Sequence, residues 1–296
     1  MRTHVRPLAL LVLPAAFACG PSNASAGAAA DGSGNSASAS TAAAQASLPA
    51  GAADAEARLA ASPRHGEWAM VSAGEADSVR AWVVYPERRD RAPVVIVVHE
   101  IFGVSHWIRA VADQLAADGF IAIAPDFLTG KNVPSANGQP LADSAVAAVR
   151  SLNPADVQRR IDAVARYGMA LPAALPRYGI VGFCWGGTVS FNHAVHAPAL
   201  GASVVYYGGS PAADRLGSVR APVLGLYGEN DARVNQTIPP ADSAMRALGK
   251  PFEHVIFPGA GHGFLRQQDG QNGANLAATQ GAWPRTIAFF RQHLGR

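Results

Sequence analysis

From Pro93 to His99 the chain reads Pro-Val-Val-Ile-Val-Val-His, an apolar β-branched run without polar interruption. A strand with one wet face alternates, so an unbroken run predicts a strand buried on both faces of a mostly parallel sheet. Ser105 to Asp118 then changes period: Ile108, Val111, Ala112 and Leu115 recur at helical spacing, and Gly119 ends the helix before a second strand, Phe120 to Ala124. The alternation continues. Helices are predicted over Leu141–Arg150 and from Asn153, a cap residue followed by Pro154, to Met169; the strand Gly179–Gly182 follows, then a helix after Trp185. Strands at Ala202–Tyr206, Pro222–Tyr227 and His254–Phe257, with helices at Pro240–Leu248 and Trp283–Leu294, complete the pattern. Strands alternating with helices of this length predict an α/β fold, a mostly parallel central sheet with helices on both faces. Ligands of such sheets bind at the carboxyl ends of the strands.

The first 64 residues lack this rhythm. Arg2 and Arg6 precede the apolar run Leu8–Leu13 and the small residues Ala15, Ala16 and Ala18, the order of a secretory signal peptide over residues 1–19. Ala16-Phe17-Ala18 suits cleavage and release, whereas Cys19 suits a lipobox whose cysteine carries the lipid; either reading exports the mature chain, and the second tethers it to a membrane. Residues 20–64 are mostly Ala, Ser, Gly, Asn and Asp, too poor in large apolar groups to offset the entropy of ordering, and are expected to form a disordered linker. The folded domain is accordingly expected over residues 65–296.

Composition narrows the function. Of 296 residues 49% are hydrophobic, which excludes a wholly disordered chain, and the net charge of +3 falls to +1 without Arg2 and Arg6. Acidic residues are interleaved with the basic ones, so no nucleic-acid partner is expected. With only Cys19 and Cys184 there is neither a disulfide framework nor a multi-cysteine metal site.

Candidate chemistry gathers at predicted strand ends. Gly182-Phe-Cys-Trp-Gly-Gly187 lies where a buried strand gives way to a helix, the setting of a nucleophile elbow with cysteine as the nucleophile. The turn is so tight that side chains two positions either side of Cys184 would collide, hence glycine at 182 and 186. The backbone N–H of Trp185 then sits at a helix N-terminus, where it can hold an oxyanion. A nucleophile needs a base, and the base an orienting group. Asp231 follows the strand ending near Tyr227, with Glu229 as a competing acid, and His262 follows the last strand in the glycine-rich loop Phe257–Phe264. The order Cys, Asp, His is that of α/β-hydrolases. Glu100, after the first central strand, reads either as an exposed loop glutamate or as a second base facing the thiol.

The segments His99-Glu-Ile-Phe-Gly103, Gly182–Gly187, Gly228-Glu-Asn-Asp231 and Gly261-His-Gly-Phe264 together resemble the dienelactone hydrolase family of the α/β-hydrolase superfamily. The resemblance spans the chain from about Arg80 onward. It implies Cys184 as nucleophile, His262 as base, Asp231 as its orienter and Glu100 as the carboxylate that helps generate the thiolate when substrate arrives. It also implies the amides of Ile101 and Trp185 as oxyanion hole and Arg266 as the residue holding a substrate carboxylate. Among Arg150, Arg159 and Arg160 it singles out no second substrate-binding arginine. The expected function is a carboxylic ester or lactone hydrolase with an acyl-thioester intermediate, a small-molecule partner, no metal or cofactor, and a monomeric chain. A catalytically silent binding protein of the same fold and a thiol redox or peroxide sensor remain as alternatives.

Overall fold

The structure is a computed structural model that describes residues 47–295. The expected leader, residues 1–19 with Cys19, and residues 20–46 of the expected linker lie outside the described residues. Eight strands form one sheet: β1 (Gly66–Gly74), β2 (Asp77–Val84), β3 (Ala92–Val98), β4 (Ile121–Asp126), β5 (Ala174–Phe183), β6 (Ala202–Tyr206), β7 (Val223–Asn230) and β8 (Phe252–Gly261). Their spatial order is β1-β2-β4-β3-β5-β6-β7-β8. The pairs β1–β2 and β2–β4 are antiparallel and the remaining five are parallel. The helices are α1 (Ala55–Ala60), α2 (His106–Ala117), α3 (Ala142–Arg150), α4 (Pro154–Ala170), α5 (Trp185–His196), α6 (Ala232–Asn235), α7 (Ile238–Ala247) and α8 (Ala274–Leu294).

Every residue of β3 is buried, and the reason is visible in its pleat. Ile96 and Val98 pack into the core shared with α4, α5 and α7, whereas Val95 and Val97 pack into the core shared with α2 and α8. A strand that feeds both faces needs apolar residues at both parities, which is what the uninterrupted run supplies. Asn153 caps α4 as expected, its Oδ1 accepting from Ala155 N at 2.8 Å, and Ser105 Oγ accepts from Ile108 N at the start of α2.

The structure corrects the sequence expectations at three places. Residues 48–64 of the expected linker are ordered against the domain: Leu48 and Ala55 are buried, Arg64 pairs with the buried Asp113 at 2.6 Å, and α1 packs on α2. Their small-residue composition hid two buried apolar anchors and a cation with a specific partner. The antiparallel hairpin β1–β2 was not expected, because β1 is an edge strand whose first five positions are all half-buried or exposed, with no alternation to mark them. Its turn is held from outside: Arg159 and Arg160 of α4 both bind Asp77, at 2.6 and 2.7 Å, and hold its carboxyl down to about 2. The last helix begins at Ala274, nine residues before the expected Trp283, with Pro284 inside it. The buried face Ala278, Thr279 and Ala282 carries the helix through Pro284.

Candidate active site

Because β3, β5, β6, β7 and β8 run in the same direction, their carboxyl ends lie along one edge, and the residues just past those ends are Glu100, Cys184, Tyr207, Asp231 and His262. Cys184 occupies a forced conformation, φ 56° and ψ −115°, between β5 and α5. Such a backbone costs of order 1–3 kcal/mol and persists only where its surroundings hold it. They do so by contact. A Cβ on Gly182 would lie 1.9 Å from the Gly186 carbonyl oxygen, and one on Gly186 would lie 2.4 Å from that of Val98. The Cys184 N–H donates to Tyr206 O at 3.1 Å and its carbonyl accepts from Thr188 N. The elbow is thus wedged between β3 and β6, with the half-buried thiol above the sheet edge.

His262 bonds Asp231 Oδ2 through Nδ1 at 2.5 Å and lies within reach of the Cys184 thiol without a well-formed hydrogen bond to it. Asp231 is buried, while a third of the His262 side chain is exposed. Burial pulls the imidazole pKa down, but the bond to the buried Asp231 carboxylate and the nearby Cys184 outweigh it and hold His262 up at about 9. Of the two acids near β7, Glu229 is exposed and accepts from Gly259 N at 2.8 Å, whereas Asp231 meets the His262 ring.

Glu100 is buried, which excludes the exposed-loop reading. Burial pushes its carboxyl up to about 7, against the pull of Arg266 and His262. Arg266 Nε stands 3.5 Å from Glu100 Oε2, and its guanidinium lies 4.7 Å over the Phe102 ring. The residue before Glu100 fixes this corner. His99 is fully buried; its Nδ1 meets Glu100 O at 2.6 Å and its Nε2 accepts from Phe127 N, so these partners assign the neutral Nδ1–H form that burial also favours. Its ring stacks on Trp185 at 5.4 Å, tying β3 to the elbow. The N–H groups of Ile101 and Trp185 donate to no acceptor among the described residues. The elbow, the bonded imidazole and the buried carboxylate thus meet at one point.

Residues 79–294 match the sequence model of the Dienelactone hydrolase family. The chain belongs to that family. It is 34% identical over 268 residues to a "Putative carboxymethylenebutenolidase" of Salmonella typhimurium, covering 84% of this chain and 97% of that one. A "Probable 2-oxo-3-(5-oxofuran-2-ylidene)propanoate lactonase" of Bradyrhizobium is 31% identical over 232 residues, covering 74% and 91% of the two chains. The crystal structure of a "Putative Dienelactone Hydrolase" from Klebsiella pneumoniae superposes with a TM-score of 0.66 at 30% identity, covering 77% of this chain and 99% of that one.

In this dienelactone hydrolase family member, two site residues carry no motif. Tyr207 follows β6 with φ 39°, sets its ring edge-on to His262 at 5.2 Å, and keeps a buried hydroxyl within reach of Glu100 without a well-formed hydrogen bond. Burial, with the nearby charges of Glu100 and Cys184, raises its ionisation well above the ordinary tyrosine value. Its position just beyond a predicted strand end was the signal that identified the others. Asn275, at the start of α8, is buried; its Oδ1 accepts from Gly261 N at 2.9 Å and its Nδ2 donates to Gln267 O at 2.7 Å, clamping the loop that bears His262 and Arg266. Nothing in the local sequence marks it. Arg159 and Arg160 are committed to Asp77 and do not join the site. Among the described residues no group of three or more His, Cys, Asp or Glu is placed to hold a metal ion.

Proposed function

We propose that this chain hydrolyses carboxylic esters and lactones by double displacement on Cys184. The observation that carries the reading is the 2.5 Å bond from His262 to the buried Asp231, on an imidazole within reach of Cys184. The thiolate sulfur bonds to the carbonyl carbon, and the carbonyl electron pair moves onto oxygen, facing the N–H groups of Ile101 and Trp185. Collapse of the adduct expels the alkoxide, which takes the His262 proton. His262, held in one tautomer by Asp231, then removes a proton from water as it attacks the thioester; the acid leaves and the thiol is restored.

Glu100 supports a second route to the thiolate. A carboxyl held near 7 binds a proton about as readily as it gives one up at neutral pH. A substrate carboxylate that draws Arg266 away removes the cation that keeps Glu100 charged, and Glu100 then becomes a stronger base beside the thiol. The relatives named for butenolide and lactone hydrolysis support lactones among the substrates. The order of positive, apolar and small residues in 1–19 supports export, with the mature chain free or lipid-anchored through Cys19.

The test is hydrolysis of an activated aryl acetate and a panel of lactones by the purified chain and by Cys184→Ala. Turnover is expected to fall at least about 10³-fold in the variant, with an unchanged urea midpoint. Hydrolysis retained by Cys184→Ala removes the thiol from the mechanism.

A further inference from the structure

Helices α4 and α5 cover the same face of the sheet, both contributing to the core that Ile96 and Val98 enter, and a cavity of about 820 Å³ opens between them. That volume is in the range of small-molecule pockets, about 300–1,000 Å³. Cys184, His262 and Glu100 do not line it; Trp185 is the residue of the elbow that stands in its wall.

The contacts between the two helices give the cavity two ends. Leu152, just ahead of α4, and Trp185, at the start of α5, belong to one apolar cluster. Midway along, Gln158 Oε1 meets His193 Nδ1 at 2.7 Å. At the far end the Asp162 carboxyl feels Arg166 and His196. From Trp185 to His196 the helix advances about 17 Å, so the ends are well separated. The near end is lined by Leu152, Pro154, Val157, Trp185 and Val189, all apolar, and the middle by the polar side chains of Gln158, Thr188 and Asn192.

The far end carries a surplus of positive charge. Arg215 donates to Asn192 Oδ1 at 2.9 Å and to His196 Nε2 at 3.0 Å, both uncharged acceptors. Among the described residues Arg166 makes no hydrogen bond or ion pair. Asp162 is the single carboxylate of the lining, and partial burial pushes its carboxyl up, so it is a weak counter-charge for two guanidinium groups. The third arginine, Arg159, is committed to Asp77 and Asp156.

We propose that this cavity is a second ligand site, separate from the Cys184 centre, and that it takes an amphiphilic carboxylate: an apolar body against Leu152, Val189 and Trp185, with the carboxylate between Arg166 and Arg215. A neutral apolar molecule leaves the surplus cation unmatched, and a small hydrophilic anion leaves the apolar end in water. Acids of this class are what ester hydrolysis releases, but the assignment stands on the cavity and is independent of the chemistry at Cys184.

The test is calorimetric titration of the full chain with decanoate and with decyltrimethylammonium, its charge-reversed counterpart, both below their micellar concentrations. The exposed pair Arg166→Glu and Arg215→Glu is exchanged together to reverse the charge of the far end, and Ala155→Trp, also at an exposed position, fills the near end. Thermal melts check that both variants remain folded. The parent is expected to bind decanoate at least about tenfold more tightly than decyltrimethylammonium, and each variant to bind decanoate at least about tenfold more weakly than the parent. Ala155→Trp decides the matter even where the charge-reversed variant does not fold. Failure of the parent to bind decanoate, or equal affinity in parent and Ala155→Trp, overturns the site, the second result placing decanoate elsewhere, as at Arg266. Aryl acetate turnover is read beside it. A folded variant that loses decanoate binding and turnover together places the ligand at the Cys184 centre and overturns the second site, whereas a parent that binds decanoate in the cavity but hydrolyses no ester loses the hydrolase reading alone.

Discussion

Replacing Asp231 with Asn keeps the side-chain shape and removes the charge that His262 leans on. The bond is 2.5 Å long and its acceptor is buried, so solvent does little to weaken it. A fall of the imidazole from about 9 toward its ordinary 6.5 corresponds to roughly 3 kcal/mol of lost preference for the protonated form. The ring is one-third exposed and Cys184 supplies part of the effect, so about 1–2 kcal/mol is expected to follow Asp231 itself. The sign for stability follows directly. His262 titrates higher folded than unfolded, so its contribution is full below pH 6.5 and is lost as pH rises through about 9. Urea unfolding of the parent is therefore expected to lose about 1–2 kcal/mol across that interval, a loss the Asn variant largely lacks. Turnover of an aryl acetate should drop by roughly 10²–10⁴, because Asn can donate to Nδ1 and favour the wrong tautomer. NMR titration of the His262 ring reports its pKa directly. An Asn variant within threefold of the parent in kcat, with His262 still titrating near 9, would refute the triad assignment.

Glu100→Gln removes a buried carboxyl that titrates near 7 instead of 4.5, a group that costs stability when charged above pH 7 and is relieved as pH falls below 4.5. The Gln variant is expected to be about 1–3 kcal/mol more stable than the parent at pH 8 and similar to it at pH 4; an equal or lower urea midpoint at pH 8 contradicts the burial argument. Gly182→Ala places a methyl 1.9 Å from the Gly186 carbonyl, an overlap that backbone movement must relieve, and should cost about 3 kcal/mol or more together with most activity. A stable, active Gly182→Ala variant would mean that the elbow is looser than its geometry. Arg266→Ala should raise KM for carboxylate-bearing esters at least tenfold more than for neutral ones, and equal loss on both would contradict a carboxylate-binding role.

The alternation of apolar runs and helical spacings was enough to place the parallel core, because burial on both faces of a strand leaves a local mark on every residue of it, as in Val94–Val98. The elbow was legible for a related reason: Gly182 and Gly186 are required by contacts within a few residues of Cys184 or with the strand beside it. Asp231 and His262 were legible from chain order and from their places after strands. The antiparallel edge was not, since β1 is mostly half-buried or exposed and its register is set by β2 and by the Arg159 and Arg160 clamp on Asp77, 82 and 83 residues away.

The sequence by itself therefore determined the fold class and marked Cys184, Asp231 and His262 as the candidate nucleophile and its two proposed partners, each specified by short-range geometry or by the order of elements. Tertiary structure alone decided what depends on distant segments meeting. Whether Glu100 is exposed or buried turns on what closes over the end of β3, and its companion Arg266 reaches it across 166 positions of chain. The role of Asn275 exists only because α8 begins beside the His262 loop, and residues 48–64 become part of the domain only because Asp113, Trp107 and Gln268 stand ready to bind them. Composition measures how much apolar surface a segment carries on average; it says nothing of the few specific partners that order a polar segment.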